Sequence, residues 1–225
     1  MRGLIRSVLI SLGLLALGAS VPSQADVITL TFDTLQDQEK ILNYYNGGAG
    51  DKGSGPGPNY GITFSASAQA IESGNYANNP SPPGVLFFLG GGGAVMNVAA
   101  GFTTGFSFFY SAADPAHPGS VTVYDGVDQT GNILASLALP VTPTLPPGSP
   151  PYNNWVPIGV TFNGIAKSVN FSGAANFIGF DNVTLGAALP PGAVPEPSSL
   201  ALAGLGCLGV AGFLARRRRA TSPAA

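Results

Sequence analysis

Short runs in which apolar and small polar residues alternate recur along the middle of the chain. Ile28, Leu30 and Phe32 alternate with Thr29, Thr31 and Asp33, Ile62 and Phe64 with Thr63 and Ser65, and Val121 and Val123 with Thr122 and Tyr124. Val169 and Phe171 alternate with Ser168, Asn170 and Ser172, while Phe106, Phe108 and Tyr110 share one phase. A period of two with one apolar face predicts half-buried antiparallel strands. About ten such runs, broken by Gly- and Pro-rich stretches, predict an all-β domain built as an antiparallel β-sandwich. A jelly-roll-like arrangement is the expected one, with an immunoglobulin-like sandwich as the alternative.

Several local elements follow from the same pattern. Residues 34–43, with Leu35, Ile41 and Leu42 set against Asp37, Glu39 and Lys40, predict a short helix. Residues 125–132 predict a turn between strands at 120–124 and 133–139. The run Gly90, Gly91, Gly92 and Gly93 predicts a tight hairpin between 85–89 and 94–98. Residues 46–59, 75–84 and 140–154 read as loops; the last holds six prolines and is expected to cross between sheets in extended form. Ile178 and Phe180 hold one phase and Val183 and Leu185 the other, so a β-bulge is expected at Asp181-Asn182.

The two ends break the alternation. Residues 1–25 combine Arg2 and Arg6, an apolar run at 9–19 and the small residues Ser23 and Ala25. This predicts a signal peptide cut between Ala25 and Asp26. Residues 198–215 carry no charge and would span about 27 Å as a helix, close to a hydrocarbon core. Arg216, Arg217, Arg218 and Arg219 follow at once, which predicts a transmembrane helix whose distal end stays in the cytoplasm. Just before the apolar run stand Val194, Pro195, Glu196, Pro197 and Ser198, and the two prolines keep that stretch extended.

This three-part tail resembles the PEP-CTERM sorting signal of exported proteins in Gram-negative bacteria. The resemblance implies an exosortase partner, a membrane-embedded cysteine transpeptidase that would cut near Pro195, Glu196 and Pro197. It also implies a link to exopolysaccharide and biofilm. The run 155–186, with Gly164-Ile165-Ala166 and Phe180-Asp181-Asn182-Val183-Thr184-Leu185, resembles the end of many exported domains bearing this tail and names no activity. The expected division is a signal peptide at 1–25, a β-sandwich at 26–186, a linker at 187–194, the sorting tail at 195–219 and a short cytoplasmic end at 220–225.

Charge and cysteine change the picture little. Six of the nine basic residues lie in the two ends, leaving Lys40, Lys52 and Lys167 against eleven acids in the exported part, a net charge of −8. That balance argues against nucleic acid and anionic membrane surfaces as partners. The single cysteine, Cys207, lies in the apolar tail run, so no intramolecular disulfide forms. With Ala203, Ala211 and Ala215 it makes a smooth face suited to another helix.

Candidate chemistry is sparse. The sole histidine, His117, sits in a Pro-flanked loop and reads as solvated; no Gly-x-Ser-x-Gly elbow accompanies it. One His and one Cys do not make a zinc site. Asp51, Asp114, Asp125 and Asp128 stand where turns favour acids, and Glu72 near a strand end, which leaves paired-carboxylate hydrolysis without a clear pair. A structural calcium is the conceivable cofactor, held by Asp33 and Asp181 at the ends of strands expected to pair, or by Asp125 with Asp128. Gly204, Gly206 and Gly209 match a dinucleotide spacing only by accident, inside the apolar tail. Trp155 and Tyr152, with Tyr76, Tyr60, Tyr44 and Tyr45, lie in or beside loops and suit either sugar stacking or capping of the core.

The sequence therefore predicts no catalytic residue. It predicts a non-enzymatic cell-surface or extracellular-matrix protein, anchored transiently in the membrane by its tail and then released to the surface or outside the cell. A carbohydrate-binding module recognising exopolysaccharide is the alternative, and a hydrolase the third.

Overall fold

The computed structural model describes residues 27–193, apart from residues 73, 91, 147–149 and 174. The expected signal peptide with its cut at Ala25 and Asp26, the Pro195-Glu196-Pro197 motif, the apolar run 198–215 and Arg216 to Arg219 lie outside the described residues. Among the described residues no helix is long and apolar enough to cross a membrane.

The described residues form strands β1 (Ile28–Leu30), β2 (Glu39–Lys40), β3 (Ile62–Phe64), β4 (Ala68–Ile71), β5 (Val85–Phe88), β6 (Ala94–Phe102), β7 (Gly105–Ser111), β8 (Gly119–Tyr124), β9 (Ile133–Leu139), β10 (Val156–Thr161), β11 (Ala166–Gly173) and β12 (Gly179–Leu185). All ladders between them are antiparallel. One sheet runs β10-β7-β12-β5-β4-β2, with β1 also on β12; the other runs β3-β6-β11-β8-β9.

The last eight strands are one long hairpin, folded while it stays paired. β8 pairs with β9, β7 with β10, β6 with β11 and β5 with β12. The tip is the predicted turn, where the Asp125 carboxylate accepts the backbone and side-chain N–H groups of Asn132 (2.6 and 2.8 Å). Those bonds from Asn132 hold the Asp125 carboxyl below its usual range. At two of the passages from one sheet to the other, a backbone bond joins the two arms. Asn176 N–H donates to Phe88 O at one crossing, and Thr142 N–H to Ala112 O at another. The resulting strand order is that of a jelly roll.

Between the sheets lies an aromatic core. Phe106, Phe108, Phe171 and Phe180 are fully buried, and Phe171 meets Phe180 edge-on at 4.9 Å. Phe32, Tyr45 and Phe64 close one side of it. Tyr45 is buried, and its hydroxyl accepts the Phe32 N–H at 3.0 Å. Tyr44 and Tyr45 therefore cap the core, as one of the two readings of the aromatics holds.

β7 is buried at every position, because the outer face of its sheet is covered as well. Phe106, Phe108 and Tyr110 point between the sheets, while Ser107, Phe109 and Ser111 point outward beneath loops and the chain's last described residues. The predicted bulge is present: three steps from Asp181 to Thr184 oppose two from Phe109 to Ser107, and Asn182 takes φ +48. Pro157 sits on the edge strand β10, where the missing N–H removes no ladder bond and discourages pairing with another chain.

Two local expectations are corrected. Residues 34–43 are turns and the two-residue β2 rather than a helix. The reason is Glu39, which is buried and whose carboxylate accepts N–H groups of Gln36 (2.7 Å), Lys52 (3.0 Å) and Ser54 (2.9 Å). Burial pushes the Glu39 carboxyl up, but these donors outweigh it and the net shift is downward. The glycine run at 90–93 does not make a hairpin either, since β5 and β6 lie in different sheets. Both flanking strands are apolar at nearly every position, so each seeks its own sheet interior. Gly93, with φ +111, passes so close to Phe171 O that a Cβ would stand 2.2 Å from it.

Truncating Phe180 to Ala is expected to cost about 3–5 kcal/mol, against less than about 0.5 kcal/mol for Ile133→Ala on the exposed face of β9. Urea melts of the two variants check this ranking.

Candidate functional site

The outer face of the seven-stranded sheet is where the sequence-predicted residues meet. Two loops cover one half of it. Residues 75–84 and 140–155 are stitched together by backbone bonds from Ala77 N–H to Tyr152 O and from Tyr152 N–H to Asn75 O, each 3.1 Å. Asn153 fastens the second loop to itself, accepting the Leu145 N–H and donating to Leu145 O. The described parts of the proline-rich crossing are held by a few side-chain amides instead of by a ladder.

The loops bring Tyr152 and Trp155 together, with Tyr76 between them. Tyr76 and Tyr152 stack at 5.0 Å, and Tyr76 meets Trp155 at 5.9 Å. Tyr76 lies over Gly179 of β12, where a Cβ would stand 2.4 Å from its ring. The Trp155 indole N–H donates to Ala77 O at 2.9 Å. Burial pushes both tyrosine hydroxyls up, Tyr76 with the Tyr152 ring alongside and Tyr152 with the Asp114 charge nearby. Trp155 and Tyr76 remain partly exposed, whereas Tyr152 is buried. Tyr60 lies elsewhere, half-exposed against Tyr45.

His117 is less solvated than its loop suggests. It stacks flat on Phe177 at 3.8 Å, and its Nδ1 lies 2.7 Å from the Asp114 carboxylate. The backbone N–H of Ala116 and then the His117 side chain hold the Asp114 carboxyl below its usual range. This contact spans three residues within a single turn, so it staples the β7–β8 loop.

Asp33, in the turn after β1, and Asp181, inside β12 rather than at its end, lie close together. Ser81 joins them: its N–H donates to Asp181 Oδ2 at 2.8 Å, and its hydroxyl donates to Asp33 Oδ2. Asp33 Oδ1 accepts the Gly84 N–H and Asp181 Oδ1 that of Asn182. All four carboxylate oxygens therefore have donors, and the pair fastens the 75–84 loop to β12. Burial pushes the Asp181 carboxyl up to about 7, and the Asp33 charge adds to the shift against the two N–H donors. Among the described residues no group of three or more His, Cys, Asp or Glu gathers for a metal. The other pair separates in use: Asp125 holds Asn132, while Asp128 pairs with the Asn97 side-chain amide on β6.

Sequence reasoning missed Ser81, Tyr76 as the central ring, and a strap formed by the residues after β12. Gly179, Gly105 and Gly159 inside strands were the available signal, since glycine there marks close approach of another group.

The tail decides what kind of protein this is. Residues 193–219 match the PEP-CTERM protein-sorting motif. The chain carries a PEP-CTERM sorting tail. Such a tail marks an exosortase substrate that is exported and sorted at the membrane to the cell surface. The PEP-CTERM match begins three residues after Pro190, the last buried residue of the described chain. No curated protein matches the chain. Solved structures similar to it include a carbohydrate-binding module of Cellvibrio mixtus lichenase 5A in complex with cellotriose, 8% identical, with a TM-score of 0.37, covering 53% of this chain and 86% of that one. Another comprises the CBM22-1 and GH10 modules of Clostridium thermocellum xylanase 10B with xylohexaose, 14% identical, with a TM-score of 0.38, covering 73% of this chain and 28% of that one. The sugars belong to those proteins.

Two outcomes follow for the carboxylate pair. Asp181 has a folded pKa above its unfolded value, so the folded state holds the extra proton between about pH 4 and 7 and stability falls as pH rises through that window. The thermal midpoint of the wild type is expected to drop from about pH 5 to pH 7 more than that of Asp181→Asn. Equal slopes would show that Asp181 is ionised throughout. In the second test, calcium and chelator are expected to leave the midpoint unchanged. A calcium-dependent rise lost in Asp33→Asn would show that an ion replaces Ser81 between the carboxylates.

Proposed function

We propose that the chain is a non-enzymatic cell-surface or extracellular-matrix protein, processed by exosortase at its tail and associated with exopolysaccharide or biofilm. The observation that carries this reading is the sorting motif at 193–219, set directly behind a folded β-sandwich. Export places the acidic domain outside, and the apolar run with its arginines holds the precursor in the membrane until the cut. The domain is then delivered as a rigid body whose loops are tied down by Asn153, Ser81 and Glu39.

A second reading, carbohydrate binding, is favoured by the gathered rings of Tyr76, Tyr152 and Trp155. Partly exposed aromatic rings fixed on a sheet provide stacking surface at little entropic cost. Against it, Tyr152 is buried and the Trp155 N–H is already engaged, so the cluster also serves as a loop staple. A hydrolase is the third reading, with the Asp114–His117 pair as its nearest feature; among the described residues no serine, threonine or cysteine side chain hydrogen-bonds that pair.

In cells of an exosortase-bearing bacterium, the wild type is expected to yield a surface or released form shortened at its C-terminus. Replacing Pro195 and Pro197 by Ala is expected to leave the precursor in the membrane fraction. Full-length wild-type protein found only in the cytosol would overturn the assignment. A glycan array with the released form separates the first two readings: binding abolished by Trp155→Ala supports the second, and no binding supports the first.

A further inference from the structure

The chain does not leave the sandwich at the end of β12. Gly186 N–H donates to Gly105 O at 3.0 Å, and the Ser107 hydroxyl donates to Ala187 O at 2.9 Å. Ala188 then lies against two glycines that face outward from neighbouring strands. A Cβ on Gly105 would stand 2.8 Å from Ala188 N, and one on Gly159 2.1 Å from Ala188 O. Pro190 is buried, and Ala193 N–H closes a turn onto Pro190 O at 3.1 Å. Residues 186–190 therefore form a strap across β7 and β10, in the place where a free linker is expected. Ser107 is fully buried on the outer face, and the strap carbonyl is the partner its hydroxyl has there.

We infer that Gly105, Ser107 and Gly159 are positioning residues for sorting: they clamp the strap so that Pro195, Glu196 and Pro197 are presented at a short, fixed reach from the folded domain. This rests on the reading of the tail as an exosortase substrate. From Pro190 to Pro195 is five residues, a reach of at most about 17 Å; from Leu185, with the strap released, it is ten residues and about 35 Å. A membrane enzyme acting on an extended peptide must accept the motif with the sandwich held this near. The strap thereby sets which side of the domain faces the enzyme. The chemistry fits the task, since a backbone held by one hydroxyl and two bare glycines needs no particular strap side chain beyond a small one at Ala188.

The test follows processing of the full chain by pulse-chase in exosortase-bearing cells. Deleting Gly192 and Ala193 cuts the reach from Pro190 to about 10 Å and is expected to slow cleavage about tenfold. Adding Ser107→Ala and Ala188→Glu to that deletion frees the strap and is expected to bring the rate back to within about twofold of the wild type, as the effective reach is restored. Thermal melts of the released domains confirm that each variant folds. A deletion cut at the wild-type rate, or one slowed and not rescued by freeing the strap, overturns the inference. Absence of any cleavage of the wild type overturns the sorting reading itself.

Discussion

The constraint on which the rest depends is that two chain arms cross between the sheets as a pair. A strand leaving one sheet strands its backbone N–H and C=O groups, and burying them unpaired costs more than a hydrogen bond returns. Here the two longer crossings carry bonds between the arms, Asn176 to Phe88 at one and Thr142 to Ala112 at the other, and the third is only a few residues long in each arm. The ribbon from β5 to β12 can then wrap around Phe106, Phe108, Phe171 and Phe180 without losing its ladder. The nested order of pairing also explains the two edges at the hairpin tip: β9 ends one sheet and β10 the other, and Pro157 blunts the second.

A second layer follows from that wrapping. The seven-stranded sheet has apolar residues on both faces, with Val85, Phe87 and Phe109 directed away from the aromatic core. They need cover, and irregular segments supply it. Irregular chain brings no ladder of its own, so side chains satisfy its backbone: Asn153, Ser81 and Ser107 each bind a loop or the strap. The aromatic trio, the carboxylate pair and the exit of the sorting tail all lie on this one face because it is the face that had to be covered.

Strands and the bulge were legible because alternation is a local signal. The phase change between Phe180 and Val183 predicts the extra residue at Asn182. Asp33 and Asp181 meet through Ser81, although Asp33 lies in the turn after β1 and Asp181 inside β12 rather than at its end. What escaped was set by partners distant in sequence. Glu39 turns a helical pattern into turns through Lys52 and Ser54, and no local spacing announces it. The glycines at 90–93 serve a hairpin or a crossing equally well, and the choice depends on which sheet Phe88 and Ala94 each join. Ser81 has no motif of its own. The strap was hidden for a different reason: Ala187 and Ala188 are small and look like linker, while their seat is marked only by glycines some thirty and eighty residues earlier.

The covering segments are as fixed as the strands they cover. Amide hydrogen exchange on the exported domain tests this directly. The amides of Ala77, Tyr152 and Gly186 are expected to exchange far more slowly than free peptide, protected together with those of β7. Exchange of these three at free-peptide rates, over an otherwise protected sandwich, would contradict it.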